Sequence, residues 1–170
     1  GTDVKGAAAA ILEDDAVPIK GFREQLRHVL RAAPSPIVSL YLGRGRPQHW
    51  QPHIMRVIAS DAHFLMGSAL LHCVGVAIKT AYVPHMLAIR DRDLPIDESI
   101  GTWARKRRLP VAYTNPSIVD HDTRLSTTIM VRRSGYANET DARPELRKAW
   151  NFGKREVWLS NTVSIPEPDI

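Results

Sequence analysis

The stretch around Glu13, Asp14 and Asp15 constrains the fold more than any other part of the sequence. The apolar run at residues 7–12 has the length of a buried β-strand, and it ends abruptly in these three acidic residues. Open α/β sheets bind their ligands just beyond the carboxyl ends of their strands. Adjacent carboxylates repel one another unless they are solvated or surround a divalent cation. The stretch therefore predicts either a metal site on an α/β sheet or a strand that ends in a solvated acidic turn.

Composition narrows the class of protein. The 170 residues are 44% hydrophobic and 24% charged, which is typical of one globular domain with a real core. The net charge of +5 and the pI near 9.7 favour an anionic partner, such as a diphosphate, a nucleic acid or an acidic surface. The basic residues are spread along the chain, apart from the run at 105–108, whereas a nucleic-acid-binding protein more often has a denser stripe.

Cysteine content and hydropathy indicate the compartment. Cys73 is the one cysteine, so no intramolecular disulfide can form, and we interpret it as a small core residue in a reducing, cytoplasmic protein. No apolar run approaches the roughly 20 residues of a transmembrane helix.

Helices and strands are predicted to alternate along the chain. Pro18 is predicted to start a helix that runs to about residue 33, and the next helices are predicted at 50–60, at 81–90 with Met86 and Leu87 inward, and at 97–106. Strands are predicted at 37–42, once or twice within 64–79, at 109–114 and at 126–133. Residues 126–170 are predicted to be an extension that packs on the body through Trp150, Phe152 and Trp158, with an extended or disordered end.

Three further groups of residues can carry chemistry. Arg44 and Arg46 lie in a glycine-containing loop after a strand, which suits either a phosphate contact or a solvated turn. Asp97 and Glu98 begin a helix, where the helix dipole favours carboxylates with or without a function. His121 stands between two aspartates, as a metal ligand does when a carboxylate supports it, but surface histidines show the same pattern.

In an α/β sheet these groups can converge on one edge. Glu13, Asp14, Asp15 and His121 would then supply hard oxygen ligands and one imidazole, a set that suits Mn²⁺ or Mg²⁺ better than zinc. His72, within an apolar run, is interpreted as a core or edge residue.

The order of these motifs resembles a family of enzymes. The segments that carry the resemblance are 11–18, 39–43, 75–78, 97–103 and 113–121. Together they resemble glycosyltransferases of the GT-A fold from actinobacteria and their phages, which are distantly similar to glycosyltransferase family 25. The resemblance covers about residues 7–125 and implies a GT-A-like (Rossmann-like) mixed sheet flanked by helices, with residues 1–125 as the transferase core.

The resemblance implies the metal-dependent transfer of a sugar from a nucleotide-diphosphate donor. In that scheme Glu13, Asp14 and Asp15 form the acidic metal motif, Asp15 is the direct ligand, and His121 is a further ligand. Asp97 or Glu98 is the base that activates the acceptor, and Arg44 and Arg46 contact the donor. The acceptor is undefined among glycans, lipids, proteins and nucleic acids.

The family places further strands before its acidic motif. Only twelve residues precede Glu13, so we expect an N-terminally incomplete sheet with an exposed edge and a tendency to homo-oligomerise. In that case the residues of the site are present, but the protein is inactive as a transferase.

Two rival functions remain open. The first is a non-enzymatic module, derived from a transferase, that binds nucleic acid or protein. The second is a receiver-like signalling domain, because residues 11–15 also resemble the opening strand of that family. That second reading requires an aspartate at the end of the next strand, and Ser39 to Gly43 contain none.

Overall fold

A six-stranded mixed β-sheet forms the centre of the structure. The structure is a computed structural model, and it describes residues 6–45, 47–89, 92–123 and 144–169. Helices pack on both faces of the sheet, which confirms the α/β class and the mixed sheet flanked by helices, an arrangement compatible with a Rossmann-like fold. The GT-A type of this fold stays a prediction.

The strands of the main sheet come from the whole length of the described chain. They are β1 (Ala8–Leu12), β3 (Ile37–Ser39), β4 (Phe64–Gly67), β5 (Gly75–Lys79), β6 (Val111–Thr114) and β8 (Thr162–Ser164), in the spatial order β1-β5-β3-β6-β4-β8. The β3–β6 and β4–β8 pairs are parallel, and the other three pairs are antiparallel. Two further strands, β2 (Ala16–Pro18) and β7 (Val119–His121), form a separate antiparallel ribbon.

Four α-helices surround the sheet. They are α1 (Phe22–Ala32), α2 (Gln51–Val57), α3 (Val83–Ile89) and α4 (Ile96–Lys106), and short 3₁₀ helices occupy Gln48–Trp50, Thr80–Tyr82 and Pro144–Arg147. Gly21 precedes α1 with φ of +80°, a left-handed conformation that glycine adopts without steric penalty. This turn allows the chain to leave β2 and enter the helix.

Alternation along the strands divides the core into two layers. Ile37 and Val111 face the layer that α2 and α4 cover with Ile54 and Trp103. Their neighbours along the strands face the opposite layer, where Val29 of α1 is fully buried. Helices α1, α2 and α4 are therefore held on the sheet by their apolar side chains.

Several predicted boundaries were wrong. Pro18 does not start the first helix but ends β2, because its strand pairs with β7. The strand predicted at 37–42 ends at residue 39. Leu87 of α3 is exposed rather than inward, although Met86 beside it is buried as predicted. The chain end also contains a strand, β8, that the sequence did not predict. The strand predicted at 126–133 lies outside the described residues.

Strand β1 was predicted to be buried, and this was wrong. It pairs only with β5 and forms one edge of the described sheet, and four of its five residues are exposed. The side chains of Ile11 and Leu12 are therefore less covered than an apolar strand usually is. Among the described helices, none combines the length and the hydropathy that crossing a bilayer requires.

Candidate functional site

The acidic residues lie in a tight turn that links the main sheet to the ribbon. The backbone N–H of Glu13 donates to the Val74 carbonyl at 3.0 Å, which continues the β1–β5 ladder by one residue. The N–H of Ala16 then donates back to the Glu13 carbonyl at 3.1 Å, which closes a four-residue turn. The turn leaves Asp14 exposed at its tip and buries Asp15.

His121 reaches this turn through the β2–β7 ribbon. Ala16 lies opposite His121 in the register, and the Asp15 carbonyl accepts the backbone N–H of Asp122 at 2.8 Å. Of the two interpretations that the sequence left open, the surface histidine is wrong, because His121 is a buried strand residue. The pairing of two short strands therefore brings together two residues that are far apart in the sequence.

Glu13, Asp15 and His121 form a carboxylate–imidazole cluster. Each offers one ligand atom, and these atoms all lie within 4.8 Å of one another. Nε2 of His121 is 3.2 Å from Oδ2 of Asp15. Oδ1 of Asp15 is buried without a hydrogen-bond partner among the described residues. Buried carboxylate oxygens are rarely left unpaired, so this atom points to a missing ligand or water.

The electrostatics of the cluster favour added positive charge. Burial, and then the carboxylates of Asp15, Asp97 and Asp14, raise the pKa of Glu13. Burial also lowers the pKa of His121, with Arg147 adding to the effect and Asp15 opposing it. A less basic imidazole stays neutral at neutral pH, which is the form that binds metals. The cluster therefore combines crowded negative charge with a neutral nitrogen donor.

The predicted acidic pair at the helix start opens into the same cavity as the cluster. Asp97 and Glu98 occupy the first turn of α4, as predicted, and Oδ1 of Asp97 accepts the backbone N–H of Glu98 at 2.9 Å. A cavity of about 670 Å³ is lined by Glu13, His121 and this pair. A second cavity, of about 400 Å³, shares Asp97 and Glu98. Glu13, His121 and the pair Asp97 and Glu98, all singled out in the sequence, thus line one groove.

Two other predicted site residues, Asp14 and Arg44, do not join this group. Asp14 is exposed and does not belong to the cluster. Nε of Arg44 donates to the Ala149 carbonyl at 2.9 Å, and its guanidinium lies 5.8 Å from the centroid of the Trp150 ring. Arg44 is therefore engaged with the C-terminal segment, and its role in donor binding stays a prediction. Arg46 lies outside the described residues.

The sequence did not predict four residues that surround the cluster. Tyr41 packs against the ring of His72, with centroids 5.1 Å apart, and against His121, at 6.2 Å. His72 lines the cavity and has a buried Nε2 with no hydrogen-bond partner in the described part of the chain. Arg147 and Lys148 arrive from the C-terminal segment, and Lys148 binds Asp120 at 3.2 Å. The contacts of these residues join distant parts of the chain, so only the fold reveals them.

The donor set fits a hard divalent cation. Carboxylate oxygens and an imidazole bind Mn²⁺ at about 2.0–2.3 Å, so two ligand atoms on one ion lie up to about 4.5 Å apart. The separations in the cluster reach this range after small side-chain movements. Glu13, Asp15 and His121 are therefore the residues that can hold a metal ion here.

Comparison with known proteins adds no further constraint. No protein-family model, no curated protein and no solved structure gave a significant match to the chain.

Proposed function

We propose that this protein is a metal-dependent glycosyltransferase that moves a sugar from a nucleotide-diphosphate donor to an acceptor hydroxyl. The observation that carries the proposal is one cavity lined by the ligands Glu13 and His121 and by the candidate bases Asp97 and Glu98. Sugar transfer needs these two functions next to each other, because charge develops on the leaving diphosphate while the acceptor loses a proton. The resemblance of the sequence motifs to GT-A transferases supports the same activity.

At one end of the cavity, Glu13, Asp15 and His121 would hold Mn²⁺ or Mg²⁺. The ion would supply positive charge to the departing nucleoside diphosphate. The protein must keep these ligands close together, and the acidic turn and the β2–β7 ribbon do so through backbone hydrogen bonds on either side of Asp15. This rigid support is what a metal site requires of its scaffold.

At the other end, Asp97 is the better placed of the two candidate bases. It is partly buried, whereas Glu98 is exposed, and its charge is one of those that raise the pKa of Glu13. Asp97 therefore lies within electrostatic reach of the cluster. In the proposed reaction it would accept the proton of the acceptor hydroxyl as the sugar is transferred.

The acceptor would lie in the second cavity. That cavity continues past Asp97 and Glu98 and is lined further on by Trp50, Gly101 and Thr102. An aromatic ring beside hydroxyl and carboxylate groups suits a hydroxyl-rich molecule. The chemical identity of the acceptor, the choice between Mn²⁺ and Mg²⁺, the phage or actinobacterial origin and the cytoplasmic location stay predictions.

A nucleotide screen tests the proposal. Thermal unfolding is measured with each nucleoside diphosphate, with and without Mn²⁺. We expect at least one nucleotide to raise the melting temperature only when the metal is present, because a ligand that binds the folded state stabilises it. Asp15→Ala is expected to abolish the metal-dependent shift. The neighbouring substitution Asp14→Ala is the matched control and should preserve it, because Asp14 lies outside the cluster. The absence of any metal-dependent shift in the wild-type protein would contradict the proposal.

One observation favours the non-enzymatic alternative. Arg23, Arg27 and Arg31 are exposed one turn apart along α1, and all four residues of the run at 105–108 are exposed. Such surfaces attract polyanions. If the protein bound DNA with steep salt dependence and showed no metal-dependent nucleotide binding, this alternative would replace the transferase. The receiver-like reading is disfavoured, because β1 and β3 are both antiparallel to β5, and receiver domains have a doubly wound parallel sheet.

A further inference from the structure

A permanent cation, Arg147, lies against two of the three residues of the cluster. Its side chain is about nine-tenths buried. Nη2 lies 3.7 Å from Oδ2 of Asp15 and 3.1 Å from Nδ1 of His121, and it donates to the Asp122 carbonyl at 3.2 Å. The guanidinium therefore contacts the same carboxylate and the same imidazole that would hold a metal ion.

The backbone around Arg147 is anchored independently of its side chain. The hydroxyl of Tyr41 donates to the Arg147 carbonyl at 2.6 Å. The next two residues are held by Asp120, which pairs with Lys148 at 3.2 Å and accepts the backbone N–H of Ala149 at 2.8 Å. The segment therefore stays in place when the guanidinium moves, and a long flexible side chain on a fixed backbone can move without unfolding its surroundings.

The contact with His121 opposes metal binding through Nε2. A guanidinium has only donors, so while Arg147 donates to Nδ1 of His121 the ring proton lies on Nε2, where it faces Asp15. A metal bound at Nε2 needs that nitrogen free of its proton. The proton would then reside on Nδ1, where the Asp122 carbonyl can accept it at 3.2 Å, and Arg147 would lose its acceptor.

We infer that Arg147 is a built-in counter-cation of the cluster, which holds Asp15 and His121 together in the metal-free protein and is displaced when the metal binds. The inference rests on the metal site of the proposed function and adds a regulation to it. Two cations cannot share the single carboxylate of Asp15 without repulsion, so the ion must compete with the guanidinium. Arg147 thereby sets how much free metal is needed to load the site.

Direct measurement of Mn²⁺ affinity tests the inference. Free Mn²⁺ is followed by electron paramagnetic resonance while it is titrated into the wild-type protein and into Arg147→Met. We expect the variant to bind about tenfold more tightly, because the competing positive charge is gone. Arg147→Lys retains the charge and should bind more weakly than Arg147→Met. Lys148→Met is the matched control, because it removes the same charge one residue away, from a side chain that pairs with Asp120 rather than Asp15.

Thermal unfolding provides a second readout. Without metal, Arg147→Met should melt below the wild type, and saturating Mn²⁺ should narrow or reverse this difference, because binding and stability are linked. If Arg147→Met folds poorly, Arg147→Gln retains an amide donor for the Asp122 carbonyl and takes its place in both measurements.

The outcomes separate this inference from the proposed function. Equal or weaker Mn²⁺ binding by the neutral variants, next to measurable wild-type binding, overturns the role of Arg147 and leaves the metal site intact. Equal tightening by Lys148→Met overturns it as well, since the effect would then be one of net charge. If neither the wild type nor any variant binds Mn²⁺, the metal site and this inference fail together. Binding by Arg147→Met alone supports both.

Discussion

The two acidic segments of the groove are built in different ways. Asp15 is buried in the turn between two strands, and its neighbours His121 and Arg147 come from distant parts of the chain. Asp97 lies in the first turn of a helix, and its hydrogen bond to the N–H of Glu98 is local. The first segment is therefore fixed by tertiary contacts, whereas the second is held mainly by its own helix. This difference suits a rigid metal site beside an accessible base.

The largest expected effect is on the reaction rate, when Asp97 in the first turn of α4 is replaced. Asp97→Asn should lower the rate of nucleoside diphosphate release from a sugar donor by about 10²–10⁴-fold, the range that a general base contributes. Glu98→Gln is the matched control, because its side chain is more exposed, and it should lower the rate much less. Metal-dependent nucleotide binding should persist in both variants. Equal rates for wild type and Asp97→Asn would remove Asp97 from the mechanism.

The next effect concerns pH at the buried end of the groove. Burial, and then the charge of His121, lowers the pKa of His72 to about 4. In the unfolded chain this histidine gains its proton near pH 6.5, so acidification stabilises the unfolded state first. The free energy of unfolding should therefore fall by about 2–3 kcal/mol, through this residue, as the pH falls from 6.5 to 4.

Replacement of His72 isolates this contribution. In urea titrations, His72→Gln should show a flatter decline of stability over the same pH interval. His49→Gln, at an exposed histidine of the same cavity, should retain the wild-type dependence. A His72→Gln profile that is parallel to the wild type would contradict the assignment.

The smallest expected effect is on the free energy of unfolding, when the segments of Asp15 and Asp97 are compared without metal. Asp15→Ala leaves His121 and Arg147 without their shared carboxylate, so the metal-free protein should lose about 1–3 kcal/mol of unfolding free energy. Asp97→Ala removes a local helix contact and should cost at most about 0.5–1 kcal/mol. Chemical denaturation of both variants measures the difference. Equal losses would show that the two segments are supported to the same extent.

Much of the fold could be predicted because its signals are local. Apolar residues at helical spacing identified α1, and the apolar stretch at 64–79, predicted to contain one or two strands, contains β4 and β5. The prediction for Pro18 failed because proline suits a helix start and also the end of an edge strand, and the pairing with β7 decided between them. Leu87 was expected inward, but α3 is short and only part of its surface reaches the core.

In the candidate site, too, local signals were predictable and long-range contacts were not. The sequence identified Glu13, Asp15, Asp97 and His121, and the structure lines one groove with all of them except Asp15, which joins through the cluster. It missed Arg147, because a single arginine in a polar stretch has no spacing pattern that points to a partner. The sequence also did not decide whether Arg44 contacts a phosphate or lies in a solvated turn. In the structure, the guanidinium of Arg44 donates a hydrogen bond to the carbonyl of Ala149.

The sequence by itself determined which residues are apolar, where the four α-helices and most strands of the main sheet form, and which carboxylates are available, because these depend on neighbours within one or two turns of the chain. The tertiary structure alone decided that Ala16 pairs with His121 and that Arg147 reaches Asp15. Those contacts join residues more than 100 positions apart in the chain, and no local periodicity encodes them. The acidic turn is a candidate site because the fold adds an imidazole and a counter-cation to it.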